Sequence, residues 1–278
     1  MTTNAAGEVR YRRFDPANRV LHGLLMLSFL GLAFTGLPLL FSEAGWAGTL
    51  AGLLGGPHVT ADIHRVCAAV MIATFGAHLF RLFSRLFVEK DYGILWGPRS
   101  MVPQPRDLQE FVGHLKFFLG LGPRPRFDRY TYWEKFDYWA VFWGMGIIGG
   151  SGLLLWFPAF FGRFLPGWVF NVALLVHGEE ALLAVTFIFT VHFFNGHLRP
   201  EKFPMDTVIF TGSVPEDELV HERPAEWERL TREGGLDAIR TGPPNRRVVL
   251  VGRTVGTVAV LLGLTMVTLT IYAFATHH

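Results

Sequence analysis

The hydrophobic residues of this chain are gathered into five long runs that alternate with polar segments. The runs are Val20–Phe41, Val66–Phe87, Tyr138–Phe161, Val169–Phe194 and Thr254–Thr276. Each is long enough to cross a hydrocarbon core of about 30 Å, which takes roughly 20 residues of helix. The pattern therefore predicts an all-α membrane protein, in which the first four runs form a transmembrane four-helix bundle and the fifth is a further transmembrane helix. The first run is too long for a secretory signal peptide.

The composition agrees with a membrane protein. Half of the 278 residues are hydrophobic and 17% are charged, whereas about 25% are charged in a typical soluble domain. So few charges cannot cover a water-facing surface. The single cysteine, Cys67, lies inside the second run. This excludes internal disulfides, iron–sulfur clusters held by thiolates and covalent haem attachment through C-x-x-C-H.

Lysine and arginine are distributed unevenly among the polar segments. The N-terminal arm, segment 81–135 and segment 196–253 hold 23 of the 25 basic residues, and the turn Ser42–His58 holds none. Because cytoplasmic loops carry the excess of positive charge, we expect the N-terminus and both long loops to be cytoplasmic. The two short turns and the C-terminal His277–His278 then lie on the opposite side of the membrane.

Two polar segments contain helical patterns of their own. Apolar residues recur at helical spacing over Asp107–Phe118, which predicts an amphipathic helix at the membrane interface. Pro224–Glu233 begins with proline and is followed by two glycines, which predicts a short helix. The expected organisation is a cytoplasmic arm at 1–19, the four-helix core at 20–198, a cytoplasmic loop at 199–247 and the fifth transmembrane helix at 248–278, with its C-terminus outside.

Five of the eleven histidines lie within the hydrophobic runs or at their ends: His22, His64, His78, His177 and His192. Ionisable side chains are costly to bury in a membrane and mark a functional site by default. His64 and His78 are separated by a helical rise of about 21 Å, and His177 and His192 by about 22 Å. Two antiparallel helices would therefore present two levels of histidine to each other.

Each level can supply two axial imidazoles to one iron, which is the bis-histidine ligation of low-spin haem b. Hydrogen bonds between helices are the alternative role for these histidines, but two helices with matching pairs favour haem. Two stacked haems would form an electron path across the bilayer. Arg65 could bind a haem propionate or extend to the lipid headgroups. Small residues that would leave room for the macrocycle are Gly23, Ala68, Gly76, Ala77, Gly178 and Ala181.

Several short motifs resemble one group of membrane cytochromes. Arg19-Val-Leu-His22 and Phe34-Thr-Gly36 resemble the first helix of the haem-b subunits of formate dehydrogenases and nickel–iron hydrogenases. Tyr132-Trp-Glu-Lys135 and Ser151-Gly152 resemble the third helix of the same group. The segment from His192 to Glu201 resembles the end of the fourth helix in related cytochrome b subunits attached to multihaem or molybdenum reductases.

That resemblance, which covers residues 10–206, implies a four-helix core with two haems b. It implies that the outer haem is held by His64 and His177. It implies that the inner haem is held by the first and fourth helices, which here would be through His22 and His192.

His78 departs from this pattern. The cytochrome b of bc-type complexes has a ligand at the position of His78 and none at the position of His22. Three arrangements therefore stay open. His22 ligates the inner haem, or His78 does, or a third haem uses the spare histidine together with His197.

The resemblance also implies a quinone that reacts near the inner haem. A quinol needs a hydrogen-bond partner at each carbonyl and a group that accepts its protons, and histidine and glutamate titrate in a suitable range. We therefore expect a quinone site on the cytoplasmic side. The polar groups gathered at that level are His22, His78, Arg81, His192, Asn195, His197 and Glu201.

The expected function is that of an electron-transfer subunit rather than an independent enzyme. It would carry electrons between quinone and a periplasmic or membrane-associated redox subunit, such as a dehydrogenase, a reductase or a multihaem cytochrome c. The expected location is the bacterial cytoplasmic (inner) membrane. Membrane lipid is therefore a further expected partner, and no nucleic acid is expected to bind. A stand-alone haem-b oxidoreductase acting on superoxide or ferric ion is an alternative, and a proton-relaying transporter is a more remote one.

Overall fold

The computed structural model describes residues 8–203 and 205–276. The predicted external position of His277–His278 therefore concerns residues outside the described part. The chain forms two compact units. The first, which we call the polar unit, consists of Met1–Arg19, Leu79–Ala140 and Thr207–Gly252. The second, which we call the bundle unit, consists of Val20–His78, Val141–Asp206 and Arg253–His278.

Within the described residues, five helices are long and apolar enough to cross a membrane, which confirms the predicted all-α membrane fold. We call them spans 1 to 5 in chain order: Pro16–Leu40, Pro57–Val88, Tyr132–Trp156, Trp168–Leu198 and Arg246–Thr276. Spans 2, 3 and 4 contain π-helical turns, which often occur at functional sites. These turns are Ser84–Val88, Met145–Gly149, Ile188–His192 and Phe194–Leu198.

Local interactions displace the ends of span 3 from the ends of its hydrophobic run. The Thr131 backbone N–H donates to Glu134 Oε2 at 2.8 Å, and the Glu134 N–H donates to the Thr131 hydroxyl at 3.4 Å. This reciprocal pair is a capping box, so the helix begins early, at Tyr132. At the other end Pro158 cannot continue the helix. The span therefore stops before its run does, and a separate short helix, Pro158–Phe161, follows.

The remaining helices are short. In the bundle unit, Gly45–Leu53 follows span 1. The Pro105–Phe118 and Pro224–Glu233 helices of the polar unit lie where the sequence predicts helices. The other helices of the polar unit are Tyr92–Ile94, Val208–Thr211, Glu216–Glu222 and Leu236–Ile239.

The polar unit also contains a three-stranded antiparallel sheet that the sequence does not predict. Arg10–Arg12 is the central strand, between Ser213–Pro215 and Arg240–Thr241. The buried Tyr11 side chain packs edge-on against Trp227, with ring centres 5.7 Å apart. Residues 213–215 and 240–241, which lie in a segment predicted as a loop with one helix, thus pair with the N-terminal arm in this sheet.

Paired charges fill the interior of the polar unit. The buried carboxylate of Glu226 forms ion pairs with Arg13 and with Arg129. Burial lowers the pKa of Arg13 to about 10, and the nearby Arg129 guanidinium acts in the same direction. Arg13 therefore stays charged at neutral pH, and Glu226 supplies the compensating negative charge.

We expect Glu226→Gln to reduce the free energy of unfolding of the polar unit by about 3–5 kcal/mol, because two largely buried guanidinium groups lose their carboxylate. Glu228→Gln is the matched control on the same helix. Glu228 pairs with Arg126, but the two side chains are 61% and 59% exposed, and a surface pair contributes about 0–1 kcal/mol. Hydrogen exchange of segment 208–241 measures the effect. Equal loss of protection in both variants would contradict the prediction.

Span 5 packs against spans 1 and 4 in the bundle unit. A Cβ atom at Gly263 would lie 2.6 Å from Phe189 Cδ1, so glycine is required for this close approach. Ala33 and Leu37 of span 1 belong to the same buried cluster. Within the bundle unit, the buried residues of span 5 recur every three or four positions, at Gly256, Ala259, Gly263, Met266, Thr270 and Ala273.

Candidate functional site

The structure brings His64 of span 2 and His177 of span 4 together. Their ring centres are 6.3 Å apart and their planes are inclined at 75°. Imidazole nitrogens bind metals such as zinc at about 2.0 Å, so two rings on opposite sides of one metal ion have centres roughly 6 Å apart. The observed spacing therefore fits a single metal atom held between the two rings, as in a bis-histidine haem.

Both rings are anchored through Nδ1. His64 Nδ1 lies 3.0 Å from the Thr35 hydroxyl, and the ring also bonds to the backbone of Leu32. His177 Nδ1 lies 3.0 Å from the Ile148 carbonyl oxygen and 3.3 Å from the Ser151 hydroxyl. A carbonyl oxygen only accepts, which assigns the proton to Nδ1. Nε2 of each ring is left unprotonated and available as a metal ligand.

Spans 1 and 3 hold the two rings in the same way. In each span a backbone carbonyl and the hydroxyl side chain three residues after it both contact the histidine ring. The residue directly after the hydroxyl is a glycine, which also faces the ring. A Cβ atom at Gly36 would lie 3.1 Å from His64 Cε1, and one at Gly152 would lie 3.0 Å from His177 Cε1. The two sets are Leu32, Thr35 and Gly36, and Ile148, Ser151 and Gly152.

The anchoring role of Thr35 and Ser151 was not predicted from the sequence. A signal was nevertheless available, since both hydroxyl residues precede a glycine within the motifs that carry the family resemblance. The hydroxyls also donate to the carbonyls of their own helices, Thr35 to Gly31 at 2.7 Å and Ser151 to Ile147 at 2.6 Å. Each hydroxyl therefore has a hydrogen-bond acceptor within its own helix, and its oxygen can still contact the histidine ring.

We expect Gly152→Val to displace the His177 ring and to lower the haem content of the purified chain, because the added side chain has no room beside Cε1. Gly146→Val is the matched control on the same span, since a Cβ atom there would meet nothing within 4 Å. The measurement is haem b per polypeptide by pyridine haemochrome assay. Full haem content in the Gly152 variant, or equal loss in both variants, would show that the glycine does not face a ligand.

A second group of histidines lies elsewhere in the bundle unit. His22 of span 1 is close enough to His192 and His197 of span 4 to interact electrostatically with both. His192 ends one π-helical turn and His197 lies in the next. Nδ1 of His197 is buried and has no hydrogen-bond partner among the described residues. A buried polar atom of this kind is costly unless a bound group satisfies it.

His78 has a different neighbour. Its ring lies 6.2 Å from that of Phe142 on span 3, which in turn packs edge-on against Phe75 at 5.1 Å. The structure thus places His78 against an aromatic pair.

The other predicted site residues are more exposed or are engaged in ion pairs. Arg65 donates to Asp62 at 2.8 Å and is half exposed. Within the polar unit, Arg81 donates to Asp15 at 3.1 Å. Asn195 is half-buried. Glu201 is exposed, and its Oε2 is 4.0 Å from Arg199 Nε.

Comparison with known proteins identifies a family and several relatives. The family model of prokaryotic cytochrome b561 matches residues 13–200. The cytochrome b556(fdo) subunit of formate dehydrogenase from Escherichia coli K12 is 26% identical over 185 residues, which cover 66% of this chain and 76% of the relative. The subunits from strains O6:H1 and O157:H7 match to the same extent.

The family match includes spans 1 to 4 and all the histidines of both groups. It confirms the resemblance to haem-b subunits of membrane oxidoreductases. A cytochrome b of this family carries haem b in the membrane, and the spacing of His64 and His177 fits such a group. The chain therefore belongs to the prokaryotic cytochrome b561 family and is a multi-pass membrane cytochrome b subunit that serves in electron transfer.

Proposed function

We propose that this chain binds two haems b and exchanges electrons between a membrane quinone and a partner redox subunit. The observation that carries the proposal is the pair His64 and His177, whose ring centres are 6.3 Å apart and whose Nδ1 atoms are both anchored. Haem b, when bound, supplies an iron that gains and loses one electron at a time.

The outer site uses side chains from all four core spans. His64 and His177 supply the two ligand nitrogens, and Thr35 and Ser151 fix the ring orientations. Hydrogen bonds of this kind, made to the nitrogen that does not bind the metal, raise the basicity of the ligating nitrogen and fix the tautomer of the ring. Arg65 is the candidate for a propionate contact, since its half-exposed guanidinium has donors beyond the one that it gives to Asp62.

The inner site uses His22 and His192, with His197 beside them. His22 is close enough to His192 to interact with it electrostatically, which supports this pair. The buried Nδ1 of His197 is then a candidate hydrogen-bond partner for a quinone carbonyl. Asn195, on the same π-helical turn, and Glu201 offer further polar groups for the quinone and its protons.

The charge distribution supports a cytoplasmic N-terminus and cytoplasmic long loops, in a bacterial inner membrane. His64 and His177 then lie towards the periplasm, and the inner group lies towards the cytoplasm. The relatives are subunits of formate dehydrogenase. Their names support a dehydrogenase-type redox subunit as the partner of this chain, docked on the periplasmic side.

A pyridine haemochrome assay on the purified full-length chain tests the cofactor content, and anaerobic addition of a quinol tests the electron donor. We expect two haems b per polypeptide and their reduction by quinol, seen in the visible absorption bands. The His197→Ala variant should keep both haems and be reduced more slowly. A chain without haem would refute the proposal, and a haem-loaded chain that no quinol reduces would refute its quinone part.

A further inference from the structure

The Pro105–Phe118 helix of the polar unit carries a largely exposed apolar face. Five large hydrophobic side chains on it are between 41% and 70% exposed: Leu108, Phe111, Val112, Leu115 and Phe118. Their spacing of three and four residues places them on one side of the helix. A helix with such a face and charged flanks typically lies in the interface of a membrane, with its apolar side in the acyl-chain boundary.

A groove of about 420 Å³ lies on another side of the same helix. Arg106, Gly113 and Lys116 line one wall, and the segment 122–126 forms the other. The two walls come close because residue 113 is glycine: a Cβ atom there would lie 3.3 Å from Pro125 Cγ. By helical position, Lys116 is next to the apolar face, so the groove opens beside that face.

The groove is strongly basic, with four cationic side chains: Arg106, Lys116, Arg124 and Arg126. Arg106 donates to Glu110 at 2.7 Å, and Arg126 pairs with Glu228.

Lys116 and Arg124 form no ion pair within residues 8–203 and 205–276. The only carboxylate among the groove's lining residues is that of Glu110, and burial raises its pKa. The groove therefore has two positive charges that the described chain does not neutralise.

We propose that this groove binds the headgroup of an anionic phospholipid. The ammonium of Lys116 and the guanidinium of Arg124 donate to its phosphate oxygens in charge-assisted hydrogen bonds. The acyl chains lie along the exposed apolar face of the helix. An anionic lipid matches both adjoining surfaces, since its phosphate suits the basic groove and its acyl chains suit the apolar face. Because the groove has two unneutralised positive charges, a lipid with a net negative charge should bind there in preference to a zwitterionic one. This site is independent of the haem and quinone sites proposed above.

Native mass spectrometry of the full-length, haem-loaded chain in detergent tests the proposal, with phosphatidylglycerol or phosphatidylcholine added. We expect one phosphatidylglycerol to be retained per chain in preference to phosphatidylcholine. The double variant Lys116→Gln/Arg124→Gln should bind it about 30-fold more weakly, as expected for two basic residues near a lipid surface. The matched control is Arg232→Gln/Arg247→Gln, which removes two exposed charges outside the groove.

Unchanged binding in the groove variant would overturn the proposal, and so would an equal loss in the control, which would mean general surface attraction. Equal retention of phosphatidylcholine would show that the apolar face alone holds lipid. Displacement of phosphatidylglycerol by millimolar inorganic phosphate would assign the groove to a soluble anion. Haem content and melting temperature, measured on every variant, verify that each chain is folded, and Leu115→Gln provides a second variant that should weaken retention without changing the charge.

Discussion

The His64→Ala variant is expected to retain one haem b per polypeptide, compared with the two that we propose for the unsubstituted chain. His64 and His177 face each other at a spacing that fits one metal atom, so removal of either ring leaves the outer haem with a single protein ligand. The other histidine group lies on different residues and should keep its haem. Pyridine haemochrome analysis together with protein quantification measures the ratio.

Two controls define this prediction further. His58→Ala removes an exposed histidine near the start of the same span and should leave two haems. The double variant His64→Ala/His177→Ala should lose no more haem than either single variant, because both histidines serve one site. If His64→Ala keeps two haems with an unchanged low-spin spectrum, or if the double variant loses both, the assignment of this pair is wrong.

The five spans could be predicted from sequence because the membrane requires about 20 apolar residues for each crossing. Their ends could not be located as well, since local polar interactions determine them. The Thr131 and Glu134 capping box extends span 3 into a polar segment, and Pro158 stops it inside an apolar one. Hydrophobicity reports where a helix can be buried, whereas capping groups and proline determine where it begins and ends.

The sheet of the polar unit depends on residues that are far apart in the chain. Arg10 pairs with Pro215 and Thr241, and its strand has only three residues. Strands this short and polar show no alternation from which pairing could be inferred. The buried Glu226 is a comparable case, because its two arginine partners come from other parts of the sequence.

The candidate ligands were evident from sequence, but the groups that orient them were not. A histidine in a hydrophobic run is conspicuous because it is costly in lipid. Thr35 and Ser151 are ordinary residues for a transmembrane helix, where a hydroxyl commonly bonds to its own backbone. Only the packing of spans 1 and 3 against His64 and His177 shows their second role.

The inner haem should be lost in His22→Ala and kept in His78→Ala. His22 lies within electrostatic range of His192 and His197, whereas the ring of His78 packs against Phe142 at 6.2 Å. We therefore expect the His22 variant to hold one haem b per chain and to be reduced little by quinol. The His78 variant should hold two haems. It is the matched control because it removes the same kind of ring from the same bundle. The reverse result would make His78 the ligand, as in bc-type cytochromes. Three haems in the unsubstituted chain, falling to two in His197→Ala, would instead make His197 a ligand and exclude it from quinone binding.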